Sequence, residues 1–311
     1  MTGRIDTHSH FVPPDYLAWL HSKPNFPGPF VEWNREAALD FYDQNEIAAG
    51  ILSISSPGVH LGAGQDPAET SRVARMVNDY AAETVRSAPD RFGFFATMTL
   101  PDVDGAIAEA TYALDELGAD GVVLMTNIDG AYLGAPEFDP LFEFLGKRDC
   151  VVFVHPTIPI GARAAGLSPG VVDFVADTVR CATSLAMSGT LARHPGLRVI
   201  LSHGGGFLPY AALRIANMVF PGRDPNEGVE EFRRFYFDTA LASSPYSMPS
   251  LMAFAQPGHL TFGTDWPYAN TAQASAFTSE LDARGLARDA ADAINFANAE
   301  QLFPRLAAQK G

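Results

Sequence analysis

The chain has 311 residues, 47% of them hydrophobic and 18% charged, with 22 Phe and a formal net charge of −15. That balance is ordinary for a globular protein and excludes a disordered one; the acidity opposes binding to nucleic acid or to anionic membranes. No apolar run approaches a membrane span and no basic-then-apolar leader opens the sequence, so the expected setting is the cytoplasm, with Cys150 and Cys181, which lack CxxC spacing, as reduced buried thiols.

The first predicted element is a strand, residues 4–10, ending in two histidines one residue apart. In a strand, i and i+2 share a face, so His8 and His10 aim both imidazoles at one point while Ser9 faces away. That arrangement suits a divalent metal, but two ligands do not complete a site, and the pair predicts further ligands elsewhere. Residues 11–33 are rich in proline, glycine and aromatics, and predict a long loop covering a site.

Helical spacing then recurs at 36–45, 68–88, 102–117 (with Asp102 as N-cap), 138–147, within 169–194, and at 209–219, 249–255, 271–284 and 289–306. Between these stretches lie predicted strands at 50–55, 92–98, 121–125, 150–155, 197–203, 235–238 and 259–265. Several are apolar on both faces, as strands of a buried parallel sheet must be. With no internal repeat, eight βα units predict an α/β fold, a (β/α)8 TIM barrel forming one domain over 1–311.

In this register His8 and His10 end the first strand, His155 the fifth, His203 the sixth and Asp265 the eighth. Strand ends of such a barrel converge on one mouth, where catalytic residues sit. A lone histidine in an apolar strand is more often a packed core residue; five metal-competent groups at strand ends are hard to explain without a metal. His21, His60, His194 and His259 fall in loops or at element starts and read as structural or solvated. Asp238 reads as a helix cap or as a carboxylate supporting a ligand. Gly204-Gly205-Gly206 lacks the spacing of a phosphate loop and predicts close backbone approach at the pocket floor.

Asp6-x-His8-x-His10, His155-Pro156, His203-Gly204-Gly205-Gly206 and Gly263-Thr264-Asp265-Trp266-Pro267 resemble the amidohydrolase superfamily. The likeness is closest to its amidohydrolase-2 branch, which includes aminocarboxymuconate semialdehyde, 6-methylsalicylate and γ-resorcylate decarboxylases. Asp90-Arg91-Phe92-Gly93 and Asn298-Ala299-Glu300-x-Leu302-Phe303 extend the resemblance over essentially the whole chain. It implies that His8, His10, His155 and Asp265 hold one divalent ion, Zn²⁺ first and Mn²⁺ second, with His203 and Asp265 as catalytic residues and His203 the acid/base. γ-Resorcylate-type members carry Glu in place of the first histidine, whereas this chain keeps His8. The paired arginines of the aminocarboxymuconate enzyme are replaced by Ala38 and Asp40, which argues against a dicarboxylate-like substrate. Arg214 matches an arginine that in the family reaches a substrate carboxylate, sometimes across a dimer interface, so a homodimer is expected.

A metal held by three histidines and an aspartate can acidify bound water and polarise a substrate oxygen, and a histidine can shuttle protons at neutral pH. Phe11, Trp33, Phe207, Trp266 and Tyr268 would suit a flat apolar ligand, with Trp266 and Tyr268 favoured because they follow a ligand directly. The resulting expectation is a metal-dependent non-oxidative decarboxylase of a small aromatic or unsaturated carboxylic acid. A hydrolase of a lactone, ester or amide is the alternative, followed by a hydratase. A non-catalytic small-molecule binder comes last, because a full ligand set with an acid/base serves no structural purpose.

Overall fold

The computed structural model describes residues 3–23, 31–159 and 167–307. Eight strands pair in parallel and in chain order: β1 Arg4–His10, β2 Ile47–Ser53, β3 Phe92–Thr97, β4 Gly121–Met125, β5 Val151–His155, β6 Arg198–Leu201, β7 Tyr236–Asp238 and β8 Leu260–Thr261. Helices lie between them, and the molecule is a (β/α)8 barrel. β3, β4 and β5 are buried along their whole length, as apolar runs such as Val151-Val152-Phe153-Val154 require when barrel interior and helices cover opposite faces.

Inward-facing Ile5, Phe95, Val123, Phe153 and Ile200 fill the barrel together with Leu302, Phe303 and Leu306 from the C-terminal segment. Arg305 ties that segment to the starts of β3 and β4, donating to the Phe92 carbonyl at 3.1 Å and the Asp120 carboxylate at 2.9 Å. The segment therefore plugs the N-terminal end of the barrel and leaves the opposite mouth open.

β1 and β8 close the barrel without a continuous ladder. Thr7 N donates to Phe262 O (2.9 Å), Asp265 N to His8 O (2.8 Å) and His10 N to Trp266 O (2.8 Å). The strands that Asp265 and His203 were expected to end are shorter than that, and both residues lie beyond the ends of β8 and β6. Both adopt left-handed backbone, with φ of 62° and 54°, a conformation that ends a strand.

Asp102 caps its helix as the sequence predicts, its side chain accepting from Gly105 N. Within the stretch read as loop, Pro14–His21 is a helix, α1, with Tyr16, Trp19 and Leu20 buried. Pro14 stands in its first turn, where a missing N–H costs nothing. Residues 24–30 of the same stretch lie outside the described residues. A second unforeseen helix, Pro225–Arg233, follows the Asp224 cap by the same logic. Between β4 and the helix Asp139–Gly146, a small antiparallel hairpin pairs Asn127–Ile128 with Ala131–Tyr132. Among the described residues no helix is long and apolar enough to cross a membrane. Cys150 and Cys181 are free and buried.

Candidate metal centre

β1 delivers His8 and His10 to the open mouth, β5 delivers His155, and the turn after β8 delivers Asp265. One ligand atom from each lies within 4.8 Å of every other, and all four residues are buried. His8 Nε2 and His10 Nε2 approach to 3.1 Å, and Asp265 Oδ1 stands 3.3 Å from the first and 3.1 Å from the second.

Each imidazole is fixed through its other nitrogen. His8 Nδ1 donates to Asp238 Oδ2 (2.7 Å), His10 Nδ1 to the Ser53 carbonyl (3.1 Å) and His155 Nδ1 to the Pro156 carbonyl (2.9 Å). Donation at Nδ1 leaves Nε2 with its lone pair, the form a metal binds.

The electrostatics agree. Burial pushes the His10 pKa down and the His155 pKa well down, so both are neutral ligands. Burial opposes the charge on Asp265, but hydrogen bonds from His10, His203 and His8 outweigh it and hold the carboxyl well below its usual range. Burial also lowers His8, yet the Asp238 and Asp265 carboxylates prevail and raise its pKa to about 10, so the cluster attracts positive charge. Two neutral imidazoles, a third whose extra proton a cation would displace, and an ionised carboxylate are the donor set of a divalent cation, and the four residues fit one such ion.

Asp238 does more than cap. Its Oδ1 accepts from His203 N (2.9 Å) and Ala240 N (3.0 Å) while Oδ2 holds His8. In Asp238→Asn the single amide oxygen can serve the two backbone donors, but the amide nitrogen then faces His8 Nδ1 and drives its proton to Nε2. Metal affinity is expected to fall about 10–100-fold with the fold intact, as read by competition against a chelating dye. Unchanged affinity would show that Asp238 does not set the tautomer.

Asp6 supports the same corner, accepting from His8 N (2.9 Å), Thr264 N (3.1 Å) and Thr264 Oγ1 (2.6 Å). Burial raises its pKa to about 7.

His203 opens the turn after β6 with Nε2 3.3 Å from Asp265 Oδ2. Asp265 thus turns one oxygen toward the ligand cluster and the other toward His203. Gly206 closes this turn against the helix Asp173–Ser188: a Cβ there would lie 2.3 Å from the Val175 carbonyl oxygen, so the expected close backbone approach is present.

A cavity of about 1290 Å³ opens over the cluster, bordered by His203, Asp265 and Tyr268 and walled by Val12, Leu17, Leu20 and Leu100. No lysine or arginine among the described residues lines it. Of the aromatics singled out in the sequence, only Tyr268 reaches it, its ring edge-on to His10 at 5.3 Å. Trp266 is turned the other way, stacked on Phe41 at 5.1 Å with its Nε1 donating to Thr271. Phe11 and Trp33 pack on each other and on Tyr80, beneath the cavity wall rather than in it. Phe207 is exposed. Arg214 is exposed as well, because its helix, Leu208–Val219, buries Leu208, Ala212 and Ala216 along one stripe and Arg214 falls on the other side.

His194 and His259 are structural, bonded to Asp139 and to the Phe235 carbonyl. His60, read as structural or solvated, lines the cavity instead. Its place in a loop after β2 offered no periodic signal to show this.

Residues 5–305 match the family model described as amidohydrolase. The chain belongs to the amidohydrolase family. This amidohydrolase is 36% identical to a 6-methylsalicylic acid decarboxylase of Penicillium expansum, over 98% of this chain and 97% of that relative. It is also 36% identical to a decarboxylase of Aspergillus niger, over 97% of this chain and 88% of the relative. Among solved structures, a 2,6-dihydroxybenzoate decarboxylase complexed with 2,6-dihydroxybenzoate superposes with a TM-score of 0.84 at 26% identity, covering 98% of this chain and all of that one.

Proposed function

We propose that this amidohydrolase is a metal-dependent, non-oxidative decarboxylase of a small aromatic acid with a single carboxylate. The observation that carries the reading is the buried His8, His10, His155 and Asp265 cluster with His203 on the free oxygen of Asp265, at the floor of an apolar cavity. Relatives named for 6-methylsalicylic acid and 2,6-dihydroxybenzoate support it. The lack of a lysine or arginine lining among the described residues favours one carboxylate over two.

A divalent cation held by these four residues, Zn²⁺ first because imidazole dominates the set and Mn²⁺ second, supplies Lewis-acid charge for the substrate carboxylate and a neighbouring oxygen. His203 Nε2 and Asp265 Oδ2 share a proton and are placed to pass it to the ring carbon that bears the carboxylate. Adding that proton, with the C–C electron pair returning to the ring as CO₂ leaves, gives the arene. Tyr268 and the aliphatic wall hold the ring and exclude water. Arg214, flanked by exposed Tyr210 and Leu213, is assigned to a homodimer contact, which sedimentation equilibrium would remove by finding a monomer.

Protein purified without chelator should carry one divalent ion per chain by mass spectrometry and release CO₂ from hydroxybenzoates and their methyl analogues. Metal-free protein, or lactone hydrolysis without CO₂ release, would overturn the proposal.

A further inference from the structure

Above the metal cluster the cavity wall carries a second histidine–carboxylate pair. His60 Nε2 and Asp129 Oδ2 are 2.8 Å apart, and both residues line the cavity. They come from different loops, one after β2 and one in the hairpin after β4, so both stand farther out than the ligands at the strand ends.

Each loop is held by its own polar anchor. Gln65 accepts from Leu61 N (2.8 Å) and donates to the Val59 carbonyl (2.7 Å) and Thr70 Oγ1 (2.8 Å), so both neighbours of His60 are tied down. On the other side the buried Asp177 carboxylate accepts from Thr126 Oγ1, from Asn127 Nδ2 (3.0 Å) and from Tyr132 OH (2.8 Å). Asn127 Oδ1 in turn accepts from Gly130 N (3.1 Å), which sets the turn that presents Asp129. With the Asp129 carboxylate as acceptor, the neutral form of His60 carries its proton on Nε2 and presents Nδ1 as an acceptor. Nδ1 has no hydrogen-bond partner among the described residues. Val12, Leu17 and Leu61 line the same cavity, as do hydroxyls such as Ser56 and Thr157, and among these groups the imidazole is the one whose direction a carboxylate fixes.

We propose that His60, positioned by Asp129, is a substrate-recognition residue that accepts a hydrogen bond from a hydroxyl on the ring edge opposite the substrate's carboxylate. The proposal rests on the carboxylate binding at the metal cluster. It makes the preferred substrates aromatic acids with a hydroxyl across the ring from the carboxylate.

The test is calorimetric binding of 6-methylsalicylate and of its 4-hydroxy counterpart to the metal-loaded protein. The wild type is expected to bind the 4-hydroxy acid about tenfold more tightly. His60→Phe, which keeps a ring but no acceptor, should bring the two acids within twofold and leave 6-methylsalicylate affinity, metal content and melting temperature unchanged. Asp129→Ala, which untethers the imidazole, should lower the same preference severalfold and covers the case in which His60→Phe does not fold. Equal binding of the pair by the wild type, or equal weakening of both acids by His60→Phe, would overturn the proposal and leave the pair a clasp between loops. CO₂ release from the same acids is followed separately: a binding preference without CO₂ release would remove the decarboxylase reading while supporting His60.

Discussion

His203→Asn is expected to lower decarboxylation turnover by about 10²–10⁴-fold while metal content and melting temperature stay at wild-type values. Asparagine is the apt replacement because the backbone at 203 is left-handed, with φ of 54°, and asparagine tolerates that region better than most residues. No other hydrogen bond is broken: His203 Nδ1 is buried without a hydrogen-bond partner among the described residues, Nε2 faces Asp265 Oδ2, and the ring otherwise stands edge-on to His8 at 4.8 Å and His155 at 5.9 Å. What disappears is the imidazole that faces Asp265 Oδ2 and can hand a proton on. Steady-state CO₂ release together with metal analysis reads the two halves of the expectation. A fully active variant would mean that another group moves the proton.

Asp265→Asn should do more, removing both metal and turnover. Its two oxygens serve different tasks: Oδ1 faces His8 and His10 Nε2 at 3.3 and 3.1 Å, and Oδ2 bonds His203. The amide keeps the shape and suits the φ of 62° but carries no charge, so no ionised carboxylate of the four-residue set is left to face the dication. The loss in metal affinity is expected to be at least the ~100-fold that removal of a supporting partner can cause. Dialysis against a chelator that leaves the wild type loaded should strip the variant. A variant that keeps a full metal complement would show that Asp265 is not a ligand and would confine it to its bond with His203.

The two variants separate roles that the sequence merges into one row of strand-end residues. His8 and His10 were legible because a strand repeats every two residues, and His155 because it ends a run of five apolar positions. The barrel was legible for the same reason, since eight alternations of two periodicities leave few other architectures. Several of the details that failed involve backbone leaving its regular path. His203 and Asp265 were read as strand ends but sit past them in left-handed turns, where no periodicity applies. Adjacency misled for Trp266: the turn sends Asp265 into the site and the next side chain out against Phe41. Pro13-Pro14 reads as part of a loop and residues 225–233 carry no predicted element, yet a proline in the first turn starts a helix at both places. The His60–Asp129 pair spans 69 positions of sequence and belongs to two loops, so only the folded chain brings it together.

The hydrogen bonds from Asp265 N to His8 O and from His10 N to Trp266 O join the first strand to the last. Three of the four residues that would hold the metal, His8, His10 and Asp265, thus also belong to the barrel's seam. His8, His10 and His155 come from β1 and β5, and Asp265, the fourth member of the set, follows β8, so the set would be complete only where the first and last strands meet. Metal capture would then gauge topological completion: a substitution that loosens the seam along β1 is expected to show first as lowered metal content.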